Sequence, residues 1–178
     1  MLSLPHGFRY FSLVNYQNAP ARTHLLDLET FYTEQNVDWA PVVSLPLELS
    51  AQWTIVSGPG NDSLRFGVLW RVSRTPVLEQ LFTLIRLSYF VDFHALQLTH
   101  LSGGYRSQIE HAYRLDVLPC VFGDRIYLGG FTDHNLWFGA PTGTPTNRIV
   151  SELQVGVRIV GGLYAVAEGR HNGNLRSS

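Results

Sequence analysis

The chain of 178 residues contains no lysine, so all 13 of its basic side chains are arginines. Lysine is the residue that most often blunts the exposed edges of soluble sheets, and that protection is missing here. Charged residues make up only 15% of the chain, below the roughly 25% of a typical soluble domain. The formal net charge is −1 and no basic run occurs, which argues against nucleic acid as a partner.

Two further absences narrow the class of protein. Cysteine occurs once, at Cys120, which excludes an intrachain disulfide and a zinc site built on cysteines. No run of 18 apolar residues exists, so no transmembrane helix is expected. Met1–Pro5 lacks the charged segment and cleavage site of a secretory signal peptide, so an outer-membrane location would require numbering from a mature start.

The dominant positive signal is an alternation of apolar and polar residues with period two, repeated about nine times. The clearest case is the segment 44–55, in which Leu47, Leu49 and Trp53 alternate with Glu48 and Ser50. The other candidate strands cover residues 8–17, 26–32, 64–72, 85–94, 109–117, 125–137, 149–159 and 163–170. Clusters of glycine, proline, asparagine and aspartate separate them, and no helical periodicity of comparable length occurs.

This pattern predicts one all-β domain over residues 1–178, an antiparallel up-and-down β-barrel of about 8–10 strands. Nine strands would be an odd number, whereas bacterial single-chain barrels usually have an even number. Either a strand is missed at Asp38–Val43, or two are merged within Val77–His100. Pro46 cannot donate to a ladder and therefore predicts a strand start or a bulge. A change of alternation predicts another bulge near Ala95-Leu96.

The same alternation is compatible with two opposite barrels. In a soluble, lipocalin-like barrel the apolar face lines a ligand cavity, and in a membrane barrel it contacts lipid. The low charge, the absence of lysine and the bulky apolar face favour the transmembrane barrel in the outer membrane of a Gram-negative bacterium. Arginines and carboxylates such as Arg65, Arg71, Asp92 and Glu110 would then pair in the interior.

One segment has residues suited to catalysis. Residues 97–104 end a long strand in the pattern H-x-S-x-G, and Glu110 follows on the next strand. A serine nucleophile needs a neighbouring base and a group that orients that base. Ser102, His100 and Glu110 could supply the three roles. The alternative is that serine and glycine serve the turn itself.

H-x-S followed by an acid on the next strand resembles the outer-membrane acyl hydrolases, namely the lipid A deacylase and outer-membrane phospholipase families. The resemblance covers about Leu96–Leu115. It implies Ser102 as nucleophile, His100 as base, Glu110 as orienting acid, and a lipid or lipopolysaccharide acyl ester as substrate. The phospholipase family also uses calcium, for which no counterpart site is found.

A second resemblance covers more of the chain. The H-x-S segment, residues Arg125–Gly130 and residues Glu152–Val157 resemble uncharacterised proteobacterial outer-membrane barrel families, which implies the location without an activity. The histidines outside the H-x-S segment show no i, i+2 or i, i+4 pairing, so no metal site is expected. No phosphate-binding loop is expected, because no helix follows the glycine-rich segments. No cofactor is expected either.

Three functions therefore remain open. The first is an integral barrel with a structural, scaffolding or narrow transport role, whose partners are the lipid bilayer and a membrane-protein assembly. The second is a barrel-borne acyl-ester hydrolase. The third is a soluble barrel that binds an apolar ligand.

Overall fold

The computed structural model describes residues 2–18, 28–57, 62–99, 105–139 and 146–175. Within these ranges ten antiparallel strands form one sheet, in which each strand pairs with the next one along the chain. They are β1 (Leu2–Ser3), β2 (Phe8–Asn18), β3 (Leu28–Trp39), β4 (Leu47–Val56), β5 (Ser63–Trp70), β6 (Leu87–Thr99), β7 (Tyr105–Asp116), β8 (Ile126–Phe138), β9 (Asn147–Val160) and β10 (Leu163–Leu175). The sheet curls into a half-barrel whose edges are β1–β2 and β10.

The nine long strands β2–β10 correspond to the nine predicted from alternation, and the up-and-down antiparallel order is confirmed. The possible extra strand at 38–43 is wrong, because Asp38 and Trp39 end β3 and a turn follows them. Pro46 directly precedes the first residue of β4, as its missing N–H requires. The described part of the chain therefore contains nine long strands, which is an odd number.

The two faces of the sheet have opposite composition. On β4 the concave side chains are polar and buried, namely Glu48, Ser50, Gln52 and Thr54. Its convex side chains Leu47, Leu49 and Trp53 are exposed. Over all described residues, eleven polar or charged side chains are buried but only four hydrophobic ones. The interior of the curled sheet is therefore polar, and its exterior is apolar.

A β-bulge in β6 keeps the polar side chains of this strand on the concave face and its apolar side chains on the convex face. Gly67 lies opposite His94 and Phe66 lies opposite Leu96, so Ala95 has no partner on β5. The backbones approach so closely that a Cβ atom on Gly67 would lie 2.1 Å from the carbonyl oxygen of Phe93. The bulge expected near Ala95-Leu96 is confirmed, and glycine is the residue that permits it.

Two short helices were missed by the sequence analysis, α1 (Pro76–Leu84) and α2 (Pro119–Phe122). Neither of these described helices has the length and apolar content to cross a membrane. α1 packs on the convex side, where the ring of Phe82 stacks on Tyr89 with centroids 6.4 Å apart. The strand predicted over 85–94 begins two residues later, at Leu87, because Ile85 and Arg86 form the turn after α1, where Arg86 has a positive φ of 56°.

Candidate functional site

The concave face carries the charged side chains of the sheet, and at one end they form a buried ion-pair cluster. Arg71 donates through Nη2 to Glu48 Oε2 at 2.9 Å and to Asp38 Oδ2 at 3.3 Å, and Arg9 also pairs with Glu48. Burial lowers the pKa of the Arg71 guanidinium, whereas the charge of Asp38 raises it. The Glu48 side chain is only 2% exposed, so the arginines replace the water that its charge would otherwise require.

A row of three carboxyl groups crosses the middle of the same face. Asp92 on β6 lies directly opposite Glu110 on β7, which lies directly opposite Asp133 on β8. Ser50 donates a hydrogen bond of 2.7 Å to Asp92. Like charges placed opposite each other repel, so the neighbours of this row determine whether it is tolerated.

The imidazole ring of His94 lies beside this row. Its Nε2 lies 3.7 Å from Asp92 Oδ2 and 3.9 Å from Glu110 Oε2, which is too long for a hydrogen bond. The side chain is fully buried, and neither ring nitrogen has a hydrogen-bond partner among the described residues. Arg65 on β5 is the guanidinium whose charge acts on Glu110 and Asp133.

Side chains of strands that are not neighbours in the sheet also interact on the concave face, which shows that the sheet curls. Ser50 on β4 donates to Asp92 on β6 at 2.7 Å, and the charge of Glu34 on β3 acts on Glu110 on β7 and on Asp133 on β8. Glu34 is itself held by Tyr32 at 2.7 Å and by Asn36 at 2.6 Å. Side chains of β3 and β4 therefore approach those of β6, β7 and β8 on the concave face of the half-barrel.

Aromatic rings close the interior towards β10. The guanidinium of Arg114 lies 4.1 Å from the ring centre of Tyr127, and that of Arg106 lies 3.8 Å from the ring centre of Trp137. The Tyr127 ring occupies the space beside Gly156, where an added Cβ atom would lie 1.9 Å from it. Stacking of this kind fills volume and places each cation over the negative face of an aromatic ring, which stabilises it.

The predicted catalytic set is described only in part. His100 and Ser102 lie outside the described residues, so the catalytic set stays a prediction. Glu110 faces the concave interior and lies opposite Asp92, seven residues before Thr99 at the end of β6. That separation is about 20 Å along the strand. In the described part of the chain, Glu110 belongs to the carboxyl row beneath His94.

Among the described residues no cluster of three or more histidine, cysteine or carboxylate side chains is arranged to hold a metal ion. No family model, curated protein or solved structure matches the chain. The geometry of the sheet is therefore the basis for assigning a function.

Part of this interior could be predicted from the sequence. Arg65, Arg71, Asp92 and Glu110 were expected to line it, and all four lie there. Asp133 was not predicted, although its position in an alternating strand with Asn135 and Trp137 could have indicated it. The contact between Arg71 and Asp38 depends on the pairing register of β3, β4 and β5, which no local pattern indicates.

Proposed function

We propose that the chain is an integral β-barrel of the Gram-negative outer membrane, with a packed polar interior and a structural or scaffolding role. The observation that carries the proposal is the reversed distribution of polar and apolar side chains between the two faces. A soluble protein buries its apolar face, whereas β4 buries Glu48 and Gln52 and exposes Leu49 and Trp53. Outward apolar and inward polar alternation is the pattern of barrels that contact lipid.

The convex surface supports this proposal over a lipocalin-like one. Phe66, Val68, Phe93 and Leu96 on β5 and β6 are each 41–45% exposed, and together they continue the apolar band of β4. A contiguous apolar surface of this kind marks an interaction with lipid or protein. In an apolar-ligand carrier the same residues would line the concave face, which here contains the ion pairs instead.

Lengths and connections agree with a spanning sheet. β4 has ten residues and β7 has twelve, close to the ~9–11 needed to cross a bilayer. α1 lies on the convex side at one end of the strands, where Trp70 donates to Thr75 at 3.0 Å. Val77 of this helix is 89% exposed, as expected for a side chain inserted at a membrane–water interface.

A sheet in lipid must close, because unpaired backbone groups are costly there. Successive strands alternate in direction, so β2 and β10 run in the same direction. A barrel made of nine long strands therefore closes through a parallel ladder between these two edges. The curl that brings the Ser50 hydroxyl of β4 within 2.7 Å of Asp92 on β6 supports closure within one chain.

The interior argues for scaffolding rather than bulk transport. Barrels of this size are about filled by their own side chains, and here ion pairs and stacked rings occupy the concave face. A wide aqueous channel would leave Glu48, His94 and Gln108 exposed, whereas they are 2%, 0% and 1% exposed.

Detergent dependence tests the proposal. The purified chain should give a monodisperse species with heat-modifiable gel mobility in detergent and in lipid vesicles, and it should aggregate in plain buffer. A folded, monodisperse protein in buffer without detergent would contradict it.

Closure has its own test, for which Cys120 is first replaced by serine. Ser12→Cys on the convex face of β2 is combined in turn with Ala165→Cys, Ala167→Cys and Gly169→Cys on that of β10. Closure predicts an intrachain disulfide in at least one pair, because bridging requires Cα atoms about 4.4–6.8 Å apart. Its absence from all three pairs would mean that the edges stay apart.

A further inference from the structure

The helix α1 leaves one apolar side uncovered. Val77, Leu81 and Leu84 are spaced four and three residues apart, so they share one side of the helix, and they are 54–89% exposed. Phe82, on the neighbouring side, packs on the sheet through Tyr89. The helix therefore packs on the convex face with one side and presents a second apolar side to its surroundings.

The third side of α1 is polar and carries Glu79, Gln80 and Thr83, all of them exposed. A helix with one uncovered apolar side and one polar side is suited to the boundary between an apolar phase and water. In a membrane protein such a helix lies in the plane of the interface, with its apolar side among the acyl chains.

Two tryptophans lie at the same end of the strands. Trp39 ends β3 and Trp70 ends β5, and both lie on the convex face because each is opposite an exposed leucine of β4. Their indole N–H groups donate to the His6 carbonyl oxygen at 3.2 Å and to the Thr75 hydroxyl at 3.0 Å. Tryptophan is enriched at membrane–water interfaces, so the end of the sheet where α1 begins has the composition of an interface.

Two exposed arginines flank the helix. Arg74 lies directly before the N-cap residue Thr75, and Arg86 lies in the turn after the helix. Among the described residues neither guanidinium forms an ion pair with a carboxylate. The charge of Arg74 also acts on Arg9, and an anion beside Arg74 would reduce that repulsion between like charges. The two ends of α1 therefore carry positive charge that lacks a counter-charge.

We propose that α1 lies in the membrane–water interface and that Arg74 and Arg86 bind the phosphate groups of anionic phospholipids. The proposal rests on the membrane location proposed above and adds the class of lipid that the helix recognises. Guanidinium groups bind phosphate through forked N–H donors, and at the ends of α1 they lie beside the apolar side that inserts among the acyl chains. A soluble anion would neutralise the arginines but would leave that apolar side in water.

Single cysteines in the Cys120→Ser background test the position of the helix. Leu84→Cys lies on the apolar side, and Glu79→Cys, the matched control, lies on the polar side of the same helix. The protein is placed in bilayer discs of phosphatidylglycerol and phosphatidylcholine, whose two faces are both open to reagents. A charged maleimide should label Glu79→Cys and leave Leu84→Cys largely unlabelled. Val77→Cys replaces Leu84→Cys if that variant loses heat-modifiable mobility.

Lipid selectivity around Trp70 tests the arginines. The other three tryptophans are replaced by phenylalanine, and either the phosphatidylglycerol or the phosphatidylcholine of the discs carries bromine. Brominated phosphatidylglycerol should quench Trp70 more strongly. This selectivity should fall about fivefold in Arg74→Gln and in Arg86→Gln, as expected for the loss of one basic residue at an anionic surface. Arg158→Gln, which removes the same charge from a residue paired with Asp124, should leave it unchanged.

The outcomes separate this inference from the membrane location. The location is read from Val68→Cys in the apolar band, and labelling of that variant by the maleimide overturns the location. With Val68→Cys shielded, labelling of Leu84→Cys as fast as Glu79→Cys, or faster, overturns the interfacial position of α1 alone. Equal quenching by the two brominated lipids overturns the phospholipid site, as does a loss of selectivity in Arg158→Gln that equals the loss in Arg74→Gln and Arg86→Gln.

Discussion

Asp92 and Glu110 lie directly opposite each other on β6 and β7, and both carboxyl groups approach the buried imidazole of His94. Opposed carboxylates repel each other. The repulsion between Asp92 and Glu110 therefore lowers the stability of the folded state.

Glu110→Gln should therefore stabilise the protein. The amide keeps the volume and can donate a hydrogen bond to Asp92, so we expect the unfolding free energy at alkaline pH to rise by about 1 kcal/mol. In acid, where the carboxyl groups are protonated, the gain should disappear. Urea unfolding of the detergent-solubilised parent protein and variant, at alkaline and at acid pH, measures the change in unfolding free energy. A lower stability of Glu110→Gln at alkaline pH would contradict the repulsion.

Arg71→Met should be strongly destabilising. Removal of this guanidinium leaves Glu48 and Asp38 in a buried site where Arg9 is the remaining ion-pair partner of Glu48, and breaking one side of a buried ion pair costs about 3–5 kcal/mol. The control is Arg158→Met, because Arg158 pairs with Asp124 at the surface. That change should cost about 1 kcal/mol or less. Similar midpoints for the two variants in urea would refute the buried cluster.

The bulge in β6 predicts an asymmetry between two strand glycines. Gly67→Ala forces a Cβ atom against the carbonyl of Phe93 and should cost about 1–3 kcal/mol. Gly169→Ala on β10 has no atom within 4 Å of its new Cβ and should be nearly neutral. Thermal unfolding of both variants tests this, and equal effects would mean that the bulge does not hold the strands so closely.

Ser102→Ala tests the acyl-hydrolase hypothesis. Because Glu110 faces the interior with His94, about 20 Å along the strand from the end of β6, we expect the variant to hydrolyse a chromogenic acyl ester no more slowly than the parent protein. A loss of most of the activity in Ser102→Ala, with Glu110→Gln as a second variant that also loses it, would establish the hydrolase and contradict the scaffolding role.

The strands could be predicted because the alternation of apolar and polar residues is visible within each segment and does not depend on which strand pairs with it. The bulge at Ala95 was also local, since it switches the parity within β6. α1 was hidden by its nine-residue length inside an apolar stretch, although Thr75-Pro76 is a recognised helix-start signal.

Register and curl carry no such local signal. Arg71 and Asp38 are 33 residues apart in the chain, and they meet because the register of β3, β4 and β5 places both on the concave face beside Glu48. His111 on β7 and His171 on β10 lie on the same convex surface only because the register of β7, β8, β9 and β10 places Thr132 and Ser151 between them. Sequence analysis could list these residues but could not group them.

Tryptophan fluorescence tests the central claim, contact of the convex face with lipid, most directly. Trp53 lies on the convex face and is 48% exposed, whereas Trp137 lies on the concave face beneath Arg106. Two variants are made in which Trp53 or Trp137 is the only one of the chain's four tryptophans that remains, and each is placed in vesicles of lipids with brominated acyl chains. The account predicts strong quenching of Trp53 and weak quenching of Trp137. Quenching of Trp53 by aqueous iodide instead, with no effect of brominated lipid, would contradict it.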